Sequence, residues 1–402
     1  MKKIAYILTT FPCPSETFAA REIQTLQKTG LDIMVFAASS CKRQPADTEP
    51  VGVFYRPGLF SWDTFLSLIY LAVKHPLSAV KLITLVLEFL LICPTEALTL
   101  IGNFHTICFF AYAAERYGIS YIHAYFLSWP ACIGLSIAKI TNKPFSIAAH
   151  SRDIFVEHGA VELKVSQAKF VVCCSRQGLD YLKARLPGKY HDRLHLNYHG
   201  IDVDLLSLKP KGAAEKSIPT ILSIGRLVRK KGFEYLIKAF EEVLRDRPNC
   251  CMIIAGDGPQ KQKLVRLIYA LHLAEKVQLP GWLEHQKILE LIGRANVLVV
   301  PSIIDKDGDR DGIPNVILEA FCLGTPVIAS ALTGITEAIR HKQTGLLVEP
   351  SNTSQLRSAL EKILSDKNLG SRISDSAYEA VKKHFDIDTN CKKLIALFEN
   401  TN

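Results

Sequence analysis

The sequence predicts an α/β protein of two doubly wound domains, each a parallel sheet with helices on both faces. Three observations predict it. An apolar strand, an amphipathic helix and a second apolar strand follow one another within residues 4–37, and strand–helix–strand at that spacing implies a parallel pair. A polar stretch rich in Lys, Pro and Gly at 207–220 interrupts the pattern, which then restarts. The chain has 402 residues, 48% hydrophobic and 22% charged, which suffices for two ordinary cores and excludes a disordered chain.

In chain order, residues 4–8 form the first buried strand, 17–28 a helix that Gly30 ends, and 31–37 the second strand. The loop at 11–18 is not G-x-G-x-x-G, which argues against a dinucleotide-dependent oxidoreductase. Residues 59–112 are the most apolar region, but Lys74, His75, Pro76, Lys81 and Glu88 keep every clean run below the roughly 20 residues of a membrane span. Two readings stay open there: core helices of the first domain, or a helix pair lying on a bilayer surface. A strand ending near 126, a helix at 130–141 and a strand at 145–149 lead to His150, at the carboxyl edge where open α/β sheets bind ligands. Further strands are expected at 170–174 and 194–198, with a turn at 199–202. After the linker, strands are expected at 221–225, 250–255, 277–279, 297–300, 327–329 and 346–348. Helices are expected at 233–245 and 260–271, and from 352 onward the period is helical.

The formal net charge is +9, most of it in the first half. No arginine-rich, aromatic-interleaved patch is present, so nucleic acid is not an expected partner. Eleven cysteines, an odd number with no C-x-x-C pair, favour a reducing compartment. The short apolar run at the N-terminus reads as a strand rather than a signal peptide. The expected location is cytoplasmic, with peripheral contact at the inner, anionic membrane face left open by residues 59–112.

The densest chemistry lies at 305–324. A strand ending at Pro301 delivers the chain into an acidic run. Gly312 and Pro314 shape a turn, and a helix follows from Asn315 to about Leu323, stopped by Gly324. Unpaired N–H groups and the positive dipole end of that helix favour an anion such as phosphate. Asp311 lies just before this end and Glu319 one turn inside, which suits a ligand carrying hydroxyls as well as phosphate, as a sugar nucleotide does. Asp307, Asp309, Asp311 and Gly312 begin a calcium-loop pattern. Leu318, however, stands where that pattern needs Glu, and Pro314 falls inside the loop, so calcium is rejected. A solvated acidic loop is the plain alternative. After the strand at 221–225, Arg226 and Lys231 precede a helix start at Gly232 and could neutralise a diphosphate leaving group, while Arg229 and Lys230 read as solvated.

Several motifs together resemble family-4 retaining glycosyltransferases of the GT-B fold. They are Gly225-Arg226-Leu227 with Lys231-Gly232, the turn from Gly256 through Gly258, and Asp311 eight residues before Glu319 with Gly312-Ile313-Pro314 inside. The first domain adds Phe11-Pro12, Ser15-Glu16-Thr17-Phe18, Arg21-Glu22, Ile122 to Phe126, and Ala149-His150-Ser151-Arg152-Asp153. These are similar to the branch that builds exopolysaccharide and colanic-acid-like repeat units. The likeness covers nearly the whole chain, with the motifs in order.

The resemblance implies two Rossmann-like domains, 1–206 and 207–378, facing across a cleft, with 379–402 a helix crossing back to the first. It implies Arg226 and Lys231 on the nucleotide diphosphate, Glu319 on the ribose hydroxyls and Asp311 near the donor sugar. Gly256, Gly258, Gly312, Ile313, Pro314 and Asn315 would line the nucleotide-sugar site. His150 would face the reacting sugar and join Asp311 and Glu319 as the catalytic set. Ser15, Glu16, Thr17, His123, Arg152 and Asp153 would lie on the acceptor side. Asp153 either orients the His150 imidazole or caps the following helix. No metal or other cofactor is implied. Asp311 departs from the family's usual Glu by one methylene. The expected function is retaining transfer of a sugar from a UDP- or GDP-sugar to a glycan or lipid-linked oligosaccharide acceptor in surface polysaccharide synthesis. The alternatives are a sugar-nucleotide epimerase or hydrolase on the same fold, and a non-catalytic membrane-surface scaffold.

Overall fold

A computed structural model describes residues 2–13, 16–41, 52–156, 159–207 and 218–400. They fall into two compact units, Met1–His199 with Asn390–Asn402, and Gly200–Thr389. The division lies at 199/200 and 389/390, whereas 206/207 and 378/379 were expected. Most of the expected linker, 208–217, lies outside the described residues.

The first unit is a seven-stranded parallel sheet, in order β3-β2-β1-β4-β5-β6-β7. It opens with β1 (Lys3–Thr10), α1 (Thr17–Lys28), β2 (Asp32–Ser39) and β3 (Val53–Tyr55). Residues 4–8 are wholly buried because β1 is central, pairing Ile4 with Ile33 on one side and Tyr121 on the other. Three-residue β3, at the sheet edge, is too short for its period to be read and was not expected. The apolar region then forms α2 (Trp62–Lys74), α3 (Ser78–Ile92), α4 (Pro94–Gly102) and α5 (Phe104–Arg116). Leu82, Leu85 and Phe89 of α3 join the core of this unit, each burial contributing about 1.5–3 kcal/mol. Next come β4 (Tyr121–Ala124), α6 (Trp129–Thr141), β5 (Phe145–Ala149), α7 (Ser151–Phe155) and α8 (Val161–Gln167). β6 (Val171–Cys173), α9 (Arg176–Arg185) and β7 (Leu194–Leu196) follow. Helix α6 is apolar nearly all round and correspondingly buried, and Asn142 ends it in the left-handed conformation, φ 53°.

The second unit is a six-stranded parallel sheet, in order β10-β9-β8-β11-β12-β13. Its elements begin with α10 (Val203–Ser207), β8 (Thr220–Ile224), α11 (Phe233–Asp246), β9 (Cys251–Ala255), α12 (Lys261–Ala270) and β10 (Val277–Gly281). Then come α13 (His285–Arg294), β11 (Val297–Val300), α14 (Asn315–Cys322), β12 (Val327–Ser330), α15 (Ile335–Ala338) and β13 (Leu346–Val348). α16 (Thr353–Ser365) and α17 (Lys367–His384) follow, and α18 (Ile387–Glu399) begins in this unit and ends in the first. In α11, buried Phe233, Leu236, Ile237, Phe240 and Val243 recur at helical spacing on one face, against the sheet core.

In both sheets the strand order reverses beside the first strand, between β1 and β4 and between β8 and β11. There the connecting helices leave to opposite faces, which opens a crevice at the carboxyl ends of the strands.

Candidate functional site

In the second unit the crevice lies between the loops after β8 and β11. The first is shaped by glycine. Gly232 sits at φ +66°, and a Cβ there would come within 1.9 Å of the Pro301 carbonyl oxygen, so only glycine lets the loop lie against the end of β11. Ile303 N–H donating to the Lys230 carbonyl at 2.7 Å ties the two loops together. Gly256, after β9, packs as closely: its Cβ would lie 1.9 Å from the Gly225 carbonyl oxygen. Leu227 N–H donates to the Asp257 carbonyl at 2.9 Å, so Arg226 is carried on a turn braced from both sides.

Lys231 Nζ donates to Asp311 Oδ2 at 2.7 Å, and Ser302 Oγ donates to the same oxygen at 2.6 Å. Lys230 is not solvated as expected. A 3-10 turn over Arg229–Lys231 directs its ammonium to Asp309 Oδ1 at 3.0 Å and to within 3.8 Å of Asp311 Oδ1. Burial works to raise the Asp311 pKa. The Lys231 and Lys230 charges, with the hydrogen bonds from Lys231 and Ser302, outweigh it and hold the carboxyl below its usual range. Two ammoniums thus meet two buried carboxylates, whereas Arg226 is exposed and makes no ion pair among the described residues.

Helix α14 starts at Asn315 behind Pro314, with no acidic residue in its first turn to neutralise the dipole. Glu319, one turn in, is 2% exposed, yet it does not sit in purely apolar surroundings. His285 Nε2 lies 3.0 Å from its Oε1, and that imidazole is 31% exposed. His285, first residue of α13, was not foreseen; 34 positions separate the pair and no motif links them. Gly258, Gly312 and Ile313 stand on the same loops as the residues above.

In the first unit His150 follows β5 and is 8% exposed. Neither of its ring nitrogens has a hydrogen-bond partner among the described residues. Asp153 acts as a cap: its Oδ2 accepts from His150 N–H at 3.3 Å and from Leu127 N–H at 2.9 Å, while His150 Nδ1 is 3.8 Å away, beyond a hydrogen bond. His199, expected only as a turn residue, stacks on His150 with centroids 4.9 Å apart and planes 12° from parallel. Burial, and after it His150, holds the His199 imidazole well below its usual pKa.

His123 is withdrawn from the acceptor side. It has no exposed surface, its Nδ1 lies 2.7 Å from Ser146 Oγ inside the sheet, and burial first, His150 second, lowers its pKa to about 3. Glu22, noted in sequence only as part of a motif, accepts from Tyr6 Oη at 3.3 Å. Burial raises its pKa to about 7 against the hydrogen bonds of Tyr125 and Tyr6. Glu16 is the N-cap residue of α1 without a capping side-chain bond, Thr17 is the first residue of that helix, and Arg152 is exposed on α7. Ser15 lies outside the described residues.

Residues 207–380 match the family model described as glycosyl transferases group 1. This stretch is a group 1 glycosyltransferase domain. Arg226, Lys231, Asp311 and Glu319 all fall within it. Among curated relatives of the group 1 domain and its chain, alpha-D-kanosaminyltransferase of Streptomyces kanamyceticus is 33% identical over 159 residues, 40% of each chain. The amylovoran biosynthesis glycosyltransferase AmsK of Erwinia amylovora is 30% identical over 170 residues, 42% of this chain and 41% of that one. The chain thus spans about two fifths of the length of these relatives. Anabaena Alr3699/HepE, solved in complex with UDP, superposes with a TM-score of 0.71 at 18% identity over 99% of this chain and 100% of that one, which shows the GT-B fold.

Proposed function

We propose that the chain is a retaining glycosyltransferase that moves a sugar from a UDP- or GDP-sugar to a lipid-linked glycan in polysaccharide synthesis. The observation that carries this reading is the cation set on the loop after β8, held by acids of the loop after β11: Lys231 and Lys230 fixed on Asp311 and Asp309, and Arg226 left exposed on the same loop. In such a transfer negative charge grows on the departing diphosphate, and cations already in place stabilise it without rearrangement. The first turn of α14 adds N–H groups of the same sign, and Glu319, steadied by His285, is suited to accept from ribose hydroxyls. The biosynthetic role named for AmsK, and the UDP in HepE, support a nucleotide-sugar donor and a polysaccharide product.

Retention by double displacement would require a carboxylate free to attack the anomeric carbon. Asp311 accepts from Lys231 and Ser302 and has its basicity lowered, so it organises cations rather than attacks. Departure and attack on one face, with the leaving phosphate taking the acceptor proton, fits that arrangement. His150, with buried and unpartnered nitrogens, is assigned to the reacting sugar, and no metal is assigned a role.

The test is acceptor-dependent release of nucleoside diphosphate, after a thermal-shift comparison of UDP- and GDP-sugars. Release should rise with a lipid-linked glycan acceptor. His150→Ala should lower turnover about tenfold or more while nucleotide affinity stays. Equal release with and without acceptor would instead indicate a hydrolase.

A further inference from the structure

Seventeen of the 24 exposed large hydrophobic residues among the described ones lie between Leu59 and Phe104. Helix α2 buries Leu71 in the core together with Thr64 and Ser67, whose hydroxyls donate to the Gly58 and Thr64 carbonyls, while Trp62, Phe65, Ile69 and Val73 are exposed. Between Pro76 and Phe104 no exposed residue carries a charge. The three charged residues in that interval are turned inward. Lys81 donates to the Lys139 carbonyl and Asn142 Oδ1, Glu96 pairs with buried Lys164, and Glu88 keeps a carboxylate oxygen buried. Even the hydroxyls of Thr84 and Thr99 return to helix carbonyls, at 2.9 and 3.0 Å.

A surface meant for water or a polar protein rim would show charges and open hydroxyls here. A surface that turns its few charges and hydroxyls away from the outside and presents apolar side chains there is what hydrocarbon favours. We infer that α2, α3 and α4 form a docking surface for an anionic lipid bilayer, lying in its interface. Crossing by one helix is excluded by length among the described residues, fifteen-residue α3 rising about 22 Å against a hydrocarbon core of about 30 Å, and the two helix pairs long enough together are bent by 104° and 64°. Each helix also keeps one side in the protein core, α3 through Leu82, Leu85 and Phe89. The charge of the unit selects the lipid: it holds 22 Lys and Arg against 15 Asp and Glu, +7 of the chain's +9. Trp62, 70% exposed at the start of α2, is the residue type that settles at headgroup level. The docking surface is independent of the sugar-transfer reading, because vesicle binding needs no nucleotide and either can fail alone.

The test is sedimentation of the full chain with vesicles of phosphatidylcholine alone and of phosphatidylcholine mixed with phosphatidylglycerol. The mixed vesicles should carry the protein down. Leu87→Glu combined with Leu91→Glu, at exposed positions, should reduce the bound fraction about tenfold or more. Tyr269→Glu, equally exposed in the second unit, should leave it unchanged. Lipids carrying a doxyl quencher should dim wild-type fluorescence more than that of Trp62→Phe, a readout that does not depend on the glutamate variant folding. The inference is overturned if the wild type stays in solution with both vesicles, or if the glutamate variant sediments like it. Concentration-dependent self-association lost in that variant, without vesicle binding, would assign the face to a second copy instead.

Discussion

Lys231→Ala, Asp311→Asn and their double variant test whether the two loops of the second unit are held together by charge. Lys231 Nζ and Asp311 Oδ2 are 2.7 Å apart, with side chains 17% and 9% exposed, so water screens the pair little. Removing one partner of a fully buried pair costs about 3–5 kcal/mol. Here Ser302 still donates to Asp311 at 2.6 Å and Lys230 remains 3.8 Å away, so Lys231→Ala should cost less, about 2–3 kcal/mol. Asp311→Asn leaves two lysines without their shared acid and should cost a similar amount. The double variant should be less destabilised than the sum by about 1–2 kcal/mol. Urea unfolding followed through Trp282, the one tryptophan of this unit, reports it. The acid limb gives a second check. The folded Asp311 pKa is depressed, so its contribution is present above the unfolded value, about 3.9, and is lost as pH falls through the folded one. Wild type should therefore lose its advantage over Asp311→Asn below pH about 4. Additivity within about 0.5 kcal/mol would refute the reasoning.

His285→Ala should lower the stability of the second unit by about 1–3 kcal/mol, since it strips a partner from buried Glu319, and UDP titration calorimetry should show Glu319→Gln binding about tenfold more weakly. Gly232→Ala should depress the melting temperature sharply, because the added Cβ meets the Pro301 oxygen at 1.9 Å at a backbone angle that itself costs about 1–3 kcal/mol; an unchanged melt would show that the loop is free to move. Glu22 has a folded pKa of about 7 against an unfolded value of about 4.3. The folded state keeps a proton that the unfolded state releases between those values, so stability from this group is full at low pH and falls as pH rises through 7. Glu22→Gln should flatten the difference between pH 5 and pH 8 melts.

Most strands were legible because buried parallel strands are short apolar runs between turn signals, and β8, β9 and β11 lie where those runs are. The Lys231–Asp311 contact was legible only as two separate motifs. Eighty residues separate them, and their meeting depends on β8 and β11 being neighbours although β9 and β10 come between in sequence. The role of Lys230 is hidden in the sequence because adjacent charges on a loop ordinarily point to solvent, whereas the tight turn here lets both lysines reach acids. His285 and His199 carry no motif; each gains meaning from a residue far away in sequence, Glu319 and His150. The apolar content of 59–112 is plain, but not which side of α2 is inward, since the buried side mixes Leu71 with Thr64 and Ser67. The core-helix reading is met by one face of α3, which joins the core of the first unit, while its other face is exposed.

Phe398 packs its ring 5.3 Å from Tyr121 and 5.4 Å from Phe170, in the interior of the first unit. The first unit therefore borrows a wall that the ribosome supplies only after the entire second unit has been translated. Until then Tyr121 and Phe170 lack that neighbour, so a nascent chain arrested before residue 390 should be more open to protease in its first half than the full chain is.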